Sequence, residues 1–210
     1  MGSYIVVAIL AYMLGSISFS VIFGKKFAGI DVREHGSKNA GSTNTLRTAG
    51  KKAAICTLIC DILKGVVAVL IGFIVGNFFE NVDKALLVQI AGICVVLGHV
   101  FPIFFKFKGG KGVATSLGVL LIMNWQIGLI CLAFAVVIMA LTRMVSVGSV
   151  LAAILFPILT VFIHQNYIVP GGSYIVFGII LAALVIFLHR SNIQRILEGK
   201  ENKLSFKSKN

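Results

Sequence analysis

Charge is what this chain has least of. Asp, Glu, Lys and Arg make up 12% of its 210 residues, about half the share found in an average soluble domain, while 58% are hydrophobic. A soluble domain is excluded on that balance alone. Internal repeats and low-complexity tracts are also missing, which rules out solenoids and disordered arrays. The first apolar stretch, residues 4–23, has no basic segment ahead of it and no small-x-small cleavage site behind it. It reads as a retained helix rather than a secretory leader. The four cysteines (Cys56, Cys60, Cys94, Cys131) sit in apolar runs without zinc-ligand spacing. They read as small hydrophobic side chains, giving neither a metal centre nor a disulfide framework. No residue pattern calls for a cofactor.

Acidic residues are the scarcest of all, 7 against 19 Lys and Arg, for a net charge of +12. Such an excess could serve nucleic acid, but no nucleic-acid-binding motif accompanies it. It is also the mark of a membrane protein whose basic loops stay in the cytoplasm against anionic lipid. The expected partner is therefore the bilayer, and no nucleic acid.

Apolar segments run over residues 4–23, 53–75, 85–105, 113–141, 147–163 and 173–188. About 20 helical residues cross a hydrocarbon core, so the 29-residue segment 113–141 is long for one span and short for two. Its middle, Asn124-Trp125-Gln126, has the polar and aromatic character of a membrane interface. Charge parity resolves the count. With a hairpin there, one side of the membrane collects residues 24–52, 106–112, 142–146 and 189–210, which hold 17 of the 19 basic residues. Without it, seven of those 17 change sides. The expectation is an all-α membrane protein, a seven-transmembrane-helix bundle with its N-terminus outside and its C-terminus cytoplasmic. Residues 1–197 form the membrane domain and 198–210 a polar basic tail.

The polar chemistry concentrates on the inner side. Residues 36–44 (Gly36, Ser37, Lys38, Asn39, Ala40, Gly41, Ser42, Thr43, Asn44) combine two glycines with five small hydroxyl or amide side chains, and Arg47 follows. Glycines permit turns whose backbone N–H groups converge on an anion, and arginine adds a fork suited to phosphate. The plainer alternative is a polar turn capping the next helix. A second loop, Lys106-Phe107-Lys108-Gly109-Gly110-Lys111-Gly112, fails the phosphate-loop pattern because Gly112 follows Lys111. It still promises free N–H groups, a helix N-terminus and an ammonium; its plainer alternative is a positive-inside anchor. Ser146 and Ser149 open one span at its inner end, and His189 and Asn192 close another three residues apart. Asp61 and Lys64, within a span, are expected to pair with each other. His99 precedes Pro102 and could pack or serve, His35 could serve or be solvated, and His164 falls in an outer loop and is set aside. Four inner clusters together suggest one basic pocket for a ligand with a phosphate head and an apolar tail.

In order and spacing these pieces resemble one family. They are Gly15-Ser16-Ile17-Ser18-Phe19, Gly29-Ile30-Asp31-Val32-Arg33, residues 36–44 with Arg47, and Asp61-Ile62-Leu63-Lys64-Gly65. Gly98-His99-Val100-Phe101-Pro102, residues 106–115, 146–149 and His189-x-x-Asn192 follow. Together they are similar to the bacterial acyl-phosphate:glycerol-3-phosphate acyltransferases over essentially the whole chain to about Leu197. The chain departs from that pattern at Ser18, Ser20, Lys38 and Ser42, where the family commonly has Pro, Gly, Gly and Ala. The resemblance implies a seven-helix bundle in the bacterial inner membrane, with its active site on the cytoplasmic side. It also implies acyl transfer from acyl phosphate to the 1-hydroxyl of glycerol 3-phosphate. On that footing Ser37 and its loop (Gly36, Lys38, Asn39, Gly41, Thr43, Asn44) would hold the donor phosphate. Lys111, Arg47, His189 and Asn192 would grip glycerol 3-phosphate, with Gly109, Gly110 and Ser146 or Ser149 beside them. No histidine is followed by Asp five residues on, so the His-x-x-x-x-Asp base of soluble-type acyltransferases is absent. A transporter of organic phosphate would also use Asp61 and Lys64, but the outer loops carry no matching phosphate groups.

Overall fold

The computed structural model describes residues 1–163, 167–170 and 174–204, and these are all-helical. The helices are α1 (Gly2–Gly15), α2 (Phe19–Ala28), α3 (Ser42–Thr48), α4 (Gly50–Phe78), α5 (Lys84–Val100), α6 (Val113–Met123), α7 (Trp125–Thr142), α8 (Val145–Phe162), α9 (Ile175–Leu188) and α10 (Arg190–Leu197). Among the described residues, five segments are long and apolar enough to cross a membrane: residues 2–28, Gly50–Phe78, Lys84–Phe105, Trp125–Thr142 and Val145–Phe162. A sixth is added if α9 and α10, bent by 58° at His189, count as one. By itself α6 is too short. His164 and Ser173, the residue expected to begin the last span, lie outside the described residues.

The chain does break within 113–141, at Asn124. Its backbone is extended there, and its side chain accepts from the N–H of Ile127, capping α7. Gly128 then packs against the backbone of Leu121. Residues seven apart in one helix would lie about 10 Å from each other, so this contact means the chain has doubled back. Asn124 itself is buried, with the N–H of Ile168 bonded to the neighbouring Met123 carbonyl; Trp125 is the exposed residue of the turn.

The shortness of α6 follows from where it starts. Its first two turns cross α4 with the backbones in contact, Gly118 on the Ile62 carbonyl and Gly65 on that of Thr115. Any side chain at either glycine would force the helices apart, the small-residue packing typical of membrane helices. Ile62 is twelve residues into α4, about 18 Å from its beginning. The end of the glycine-rich loop, residues 110–112, therefore enters the bundle, while residues 106–108 stay exposed.

The first apolar segment is also broken, between Gly15 and Phe19. A broken helix at membrane depth survives only if its freed backbone groups find partners inside the protein. Lys64 supplies them: its Nζ donates to the carbonyls of Gly15 and Ile17, both at 3.0 Å. The same ammonium lies 2.9 Å from Asp61 Oδ1, so the expected pairing of these residues is present. His99 Nδ1 is 3.4 Å from that oxygen. Asp61, Lys64 and His99 are all buried.

Removing one partner of a buried ion pair costs about 3–5 kcal/mol, and Lys64→Ala also strands two carbonyls. In detergent, Lys64→Ala should unfold well below the wild type, whereas Lys84→Ala, at an exposed lysine bonded to Asn77, should match it. Equal unfolding temperatures for the two variants would refute this role for Lys64.

Candidate active site

The loop at residues 36–44 is held from within by one side chain. Asn44 accepts from the N–H of Ser37 (2.9 Å) and donates to the carbonyls of Val32 (2.7 Å) and His35 (3.1 Å). Asn44 lines the cavity described below, but these bonds commit its amide to shaping the loop. Arg33, paired with Asp31 at 2.6 Å, fastens the approach by donating to the Phe105 carbonyl. Gly36 and Lys38 both have left-handed backbones, φ 60° and 59°. Glycine enters that region freely, as at position 36; a side chain, as at position 38, costs roughly 1–2 kcal/mol. His35 is exposed and does not reach the cavity.

The second loop joins the first, with the N–H of Ala40 donating to the Gly109 carbonyl at 3.3 Å. Here one expectation fails. The N–H groups of Gly109 and Gly110 are spent on the carbonyls of Val100 and His99, both at 3.1 Å, and neither glycine lines the cavity. Their role is close approach: a Cβ on Gly110 would strike the His99 ring, and one on Gly109 the His99 carbonyl. The anion-facing end lies two residues further on. Lys111, Gly112, Val113 and Ala114 line the cavity, so the N-terminus of α6, whose first N–H groups have no helical partner, opens onto it.

The opposite wall comes from α8 to α10 and the residues after them. Ser146 and Ser149, on the first turn of α8, both line the cavity. Ser149 donates to its own helix, to the Val145 carbonyl, leaving Ser146 the freer of the two toward other segments. His189 and Asn192 share the cavity although the helix bends between α9 and α10. His189 Nδ1 lies 2.7 Å from the Val185 carbonyl. Since a carbonyl only accepts, Nδ1 carries a proton, and in the neutral ring Nε2 keeps its lone pair.

Sequence reasoning missed Glu201 and Arg195. The chain returns over the mouth after α10, and the Glu201 carboxylate accepts from Ser146 Oγ (2.8 Å), Asn192 Nδ2 (2.6 Å) and Arg195 Nε (2.8 Å). Burial would raise its pKa, but these three donors and the Arg195 charge hold it below the usual carboxylate range. Lys111 Nζ donates to the Asn192 side-chain oxygen Oδ1, so one chain of contacts runs Lys111–Asn192–Glu201–Ser146. The available signal was an acid isolated in a basic tail: after Asp83 the only carboxylates are Glu198 and Glu201.

Together these walls enclose a cavity of about 1070 Å³. Among the described residues its lining carries Lys38, Arg47, Lys51, Lys111 and Arg195 against the carboxylates of Glu201 and, deeper in and paired with Lys64, Asp61, a balance that favours an anion. Ser37, Asn39, Gly41 and Thr43 face it as well. Below the mouth the walls turn apolar, formed by α4 and by α6 to α9. Lining residues Ile55 and Leu58 on α4 and Leu132 and Val136 on α7 are exposed on the flank, so the groove is open to the side. Burial, reinforced by the Arg195 and Arg47 charges and only partly offset by Glu201, lowers the Lys111 ammonium to about 8. Such a site can fix a phosphate at its mouth and an alkyl chain in its body.

Comparison with known proteins agrees with that chemistry. The model of the family described as glycerol-3-phosphate acyltransferase matches residues 5–199. A glycerol-3-phosphate acyltransferase of Clostridioides difficile is 45% identical over 205 residues, covering 98% of this chain and 97% of its own. One from a Thermoanaerobacter species (strain X514) is 44% identical, with 97% of each chain covered. Among solved structures, PlsY, an integral membrane glycerol 3-phosphate acyltransferase, superposes in its glycerol 3-phosphate form with a TM-score of 0.84. The two are 34% identical, and 97% of this chain and 96% of that one are covered. Its lysophosphatidic acid form gives 0.82.

Because burial lowers the Lys111 pKa to about 8, the ammonium loses its charge progressively, and phosphate binding should weaken, as pH rises through about 8. Titration of the purified protein with glycerol 3-phosphate, a phosphate monoester whose second pKa of about 6 lies below the range, between pH 7 and 9.5 should show the loss. Lys111→Arg, which keeps its charge throughout, should bind with little change. An identical decline in both proteins would remove Lys111 as its cause.

Proposed function

The chain belongs to the glycerol-3-phosphate acyltransferase family, and from that premise we propose that its acyl donor is an acyl phosphate. It is an acyltransferase of phospholipid synthesis that acylates glycerol 3-phosphate to lysophosphatidic acid. The observation that carries the donor reading is one cavity with two phosphate-compatible edges at its mouth and an apolar groove beneath. An acyl phosphate needs a nest for one phosphate and a channel for one chain. A coenzyme A thioester needs a surface for a nucleotide as well, and the longest stretch between expected spans, residues 24–52, is already folded into the first edge and α3.

In this reading Ser37, with Gly36, Lys38, Asn39, Gly41 and Thr43, holds the donor phosphate. Lys111 and Arg47 neutralise the phosphate of glycerol 3-phosphate, beside Asn192 and Ser146. The 1-hydroxyl oxygen attacks the acyl carbonyl carbon, the bond from that carbon to the phosphate oxygen breaks, and inorganic phosphate leaves. The hydroxyl proton passes to the leaving phosphate or to Nε2 of His189. A mixed anhydride is already activated, so most of the acceleration comes from holding two anions together and stabilising the charge that develops between them. Asn44, Gly109 and Gly110 support this arrangement by fixing the loops.

The same proposal sets the protein in the bacterial inner membrane with seven spans. The N-terminus is outside and the cavity mouth cytoplasmic, because that arrangement gathers 17 of 19 basic residues on one side. The hairpin α6–α7 supplies the even number of crossings it needs.

Two experiments test the proposal. Purified protein should release inorganic phosphate from palmitoyl phosphate only when glycerol 3-phosphate is added, and should be inactive with palmitoyl-CoA; comparable turnover from palmitoyl-CoA would overturn the donor. For topology, Trp125→Cys in a background without native cysteines should react with an impermeant maleimide in intact cells. Reaction only after permeabilisation would place the 124–126 turn on the cytoplasmic side.

A further inference from the structure

The residues lining the cavity run out together on four helices. On α8 the last is Phe156, on α9 Leu181, on α7 Cys131 and on α6 Leu120. Beyond them Met123, Ile127 and Phe177 are almost wholly buried and do not line it, so solid core lies underneath. The groove has a floor. Phe156 is its largest member and is braced from behind. The ring of Phe177 meets it edge-on, with centroids 6.1 Å apart and planes at 84°. At Gly178, α9 lies so close that an added Cβ would meet Pro157 at 3.2 Å and the Phe156 ring at 3.5 Å. A ring held in this way is not free to swing aside for a longer chain.

Depth gives the floor a meaning. Phe156 is ten residues below Ser146 on the same helix, about 15 Å along its axis. A bilayer core of about 30 Å comprises two leaflets, so the groove is as deep as one leaflet, the space of one ordinary acyl chain. The geometry points to Phe156 as the residue that sets acyl-chain length, stopping the methyl end of the donor against the floor it forms with Leu120, Cys131 and Leu181. This rests on the reading of the groove as the channel for the acyl chain.

The test is a competition among acyl phosphates of about 12 to about 20 carbons, a range centred on chains that fill one leaflet, with purified full-length protein and saturating glycerol 3-phosphate. Ratios between donors in one sample do not depend on how much of that sample is folded. Phe156→Ala should raise turnover of the longest donors relative to the wild-type optimum by about tenfold, the scale on which a pocket discriminates one or two methylenes. Cys131→Phe, adding a ring at the same level from α7, should shift the optimum to shorter chains. If Phe156→Ala does not fold, the direction of the Cys131→Phe shift decides. Unchanged ratios in an active variant would overturn the proposal, meaning that the chain leaves through the open flank before it reaches the floor. A wild type that acylates glycerol 3-phosphate from acyl-CoA and not from acyl phosphate would overturn the donor alone. The same series run with acyl-CoA chains would then judge Phe156.

Discussion

A broken helix inside a bilayer must find partners for its carbonyls or unwind further, and in this chain one ammonium meets that demand. Lys64 holds the Gly15 and Ile17 carbonyls while facing Asp61, and Asp61 in turn neighbours His99. The first segment, α4 and α5 are thereby registered against one another at one depth. The close crossings of α1 with α5 at Gly15 and Gly98, and of α4 with α6 at Gly65 and Gly118, lie around it. The glycine-rich loop that presents Lys111 hangs from His99 and Val100. Geometry at the cavity mouth thus rests on a charge buried some way beneath it. That explains why an expensive ion pair is kept where packed hydrophobic residues could be at least as stable: it serves position.

Much of this was legible in the residues alone. Hydropathy located every apolar segment, and the polar triplet at Asn124-Trp125-Gln126 marked a real reversal of the chain, because an asparagine at a helix start caps it. The pairing of Asp61 with Lys64 follows from their three-residue spacing. Ser37, Arg47, Lys111, His189 and Asn192 converge on one cavity, as four polar clusters on one side would suggest. The break after Gly15 was not legible, since what compensates it is a lysine 49 residues away. Nor was the bend at His189, which brings α10 across the mouth.

The glycines were the hardest to read. Gly109 and Gly110 look like anion binders because glycine exposes N–H groups, but glycine also allows two backbones to touch, and sequence does not separate these uses. Here the second holds, and the polar end shifts to Lys111 and the start of α6. Glu201 escaped for the opposite reason. An acid in a basic tail looks like a solvated surface group until the chain is seen to return, and nothing local in the sequence encodes that return. Lys38 shows the converse: its left-handed backbone is what this chain spends on an additional charge.

The exposed flank between α4 and α7 gives the groove two kinds of boundary: an aqueous one at the mouth and a lipidic one along its side. A polar reactant is counted in moles per litre of cytoplasm, whereas a chain-bearing one is counted in molecules per area of membrane. Turnover in such an enzyme is therefore tuned by surface density as much as by bulk concentration, and dilution with inert lipid slows it without altering the water. A single-chain product can slide out in the plane of the leaflet and diffuse in two dimensions to whatever consumes it next. The cell then needs no soluble carrier for that step.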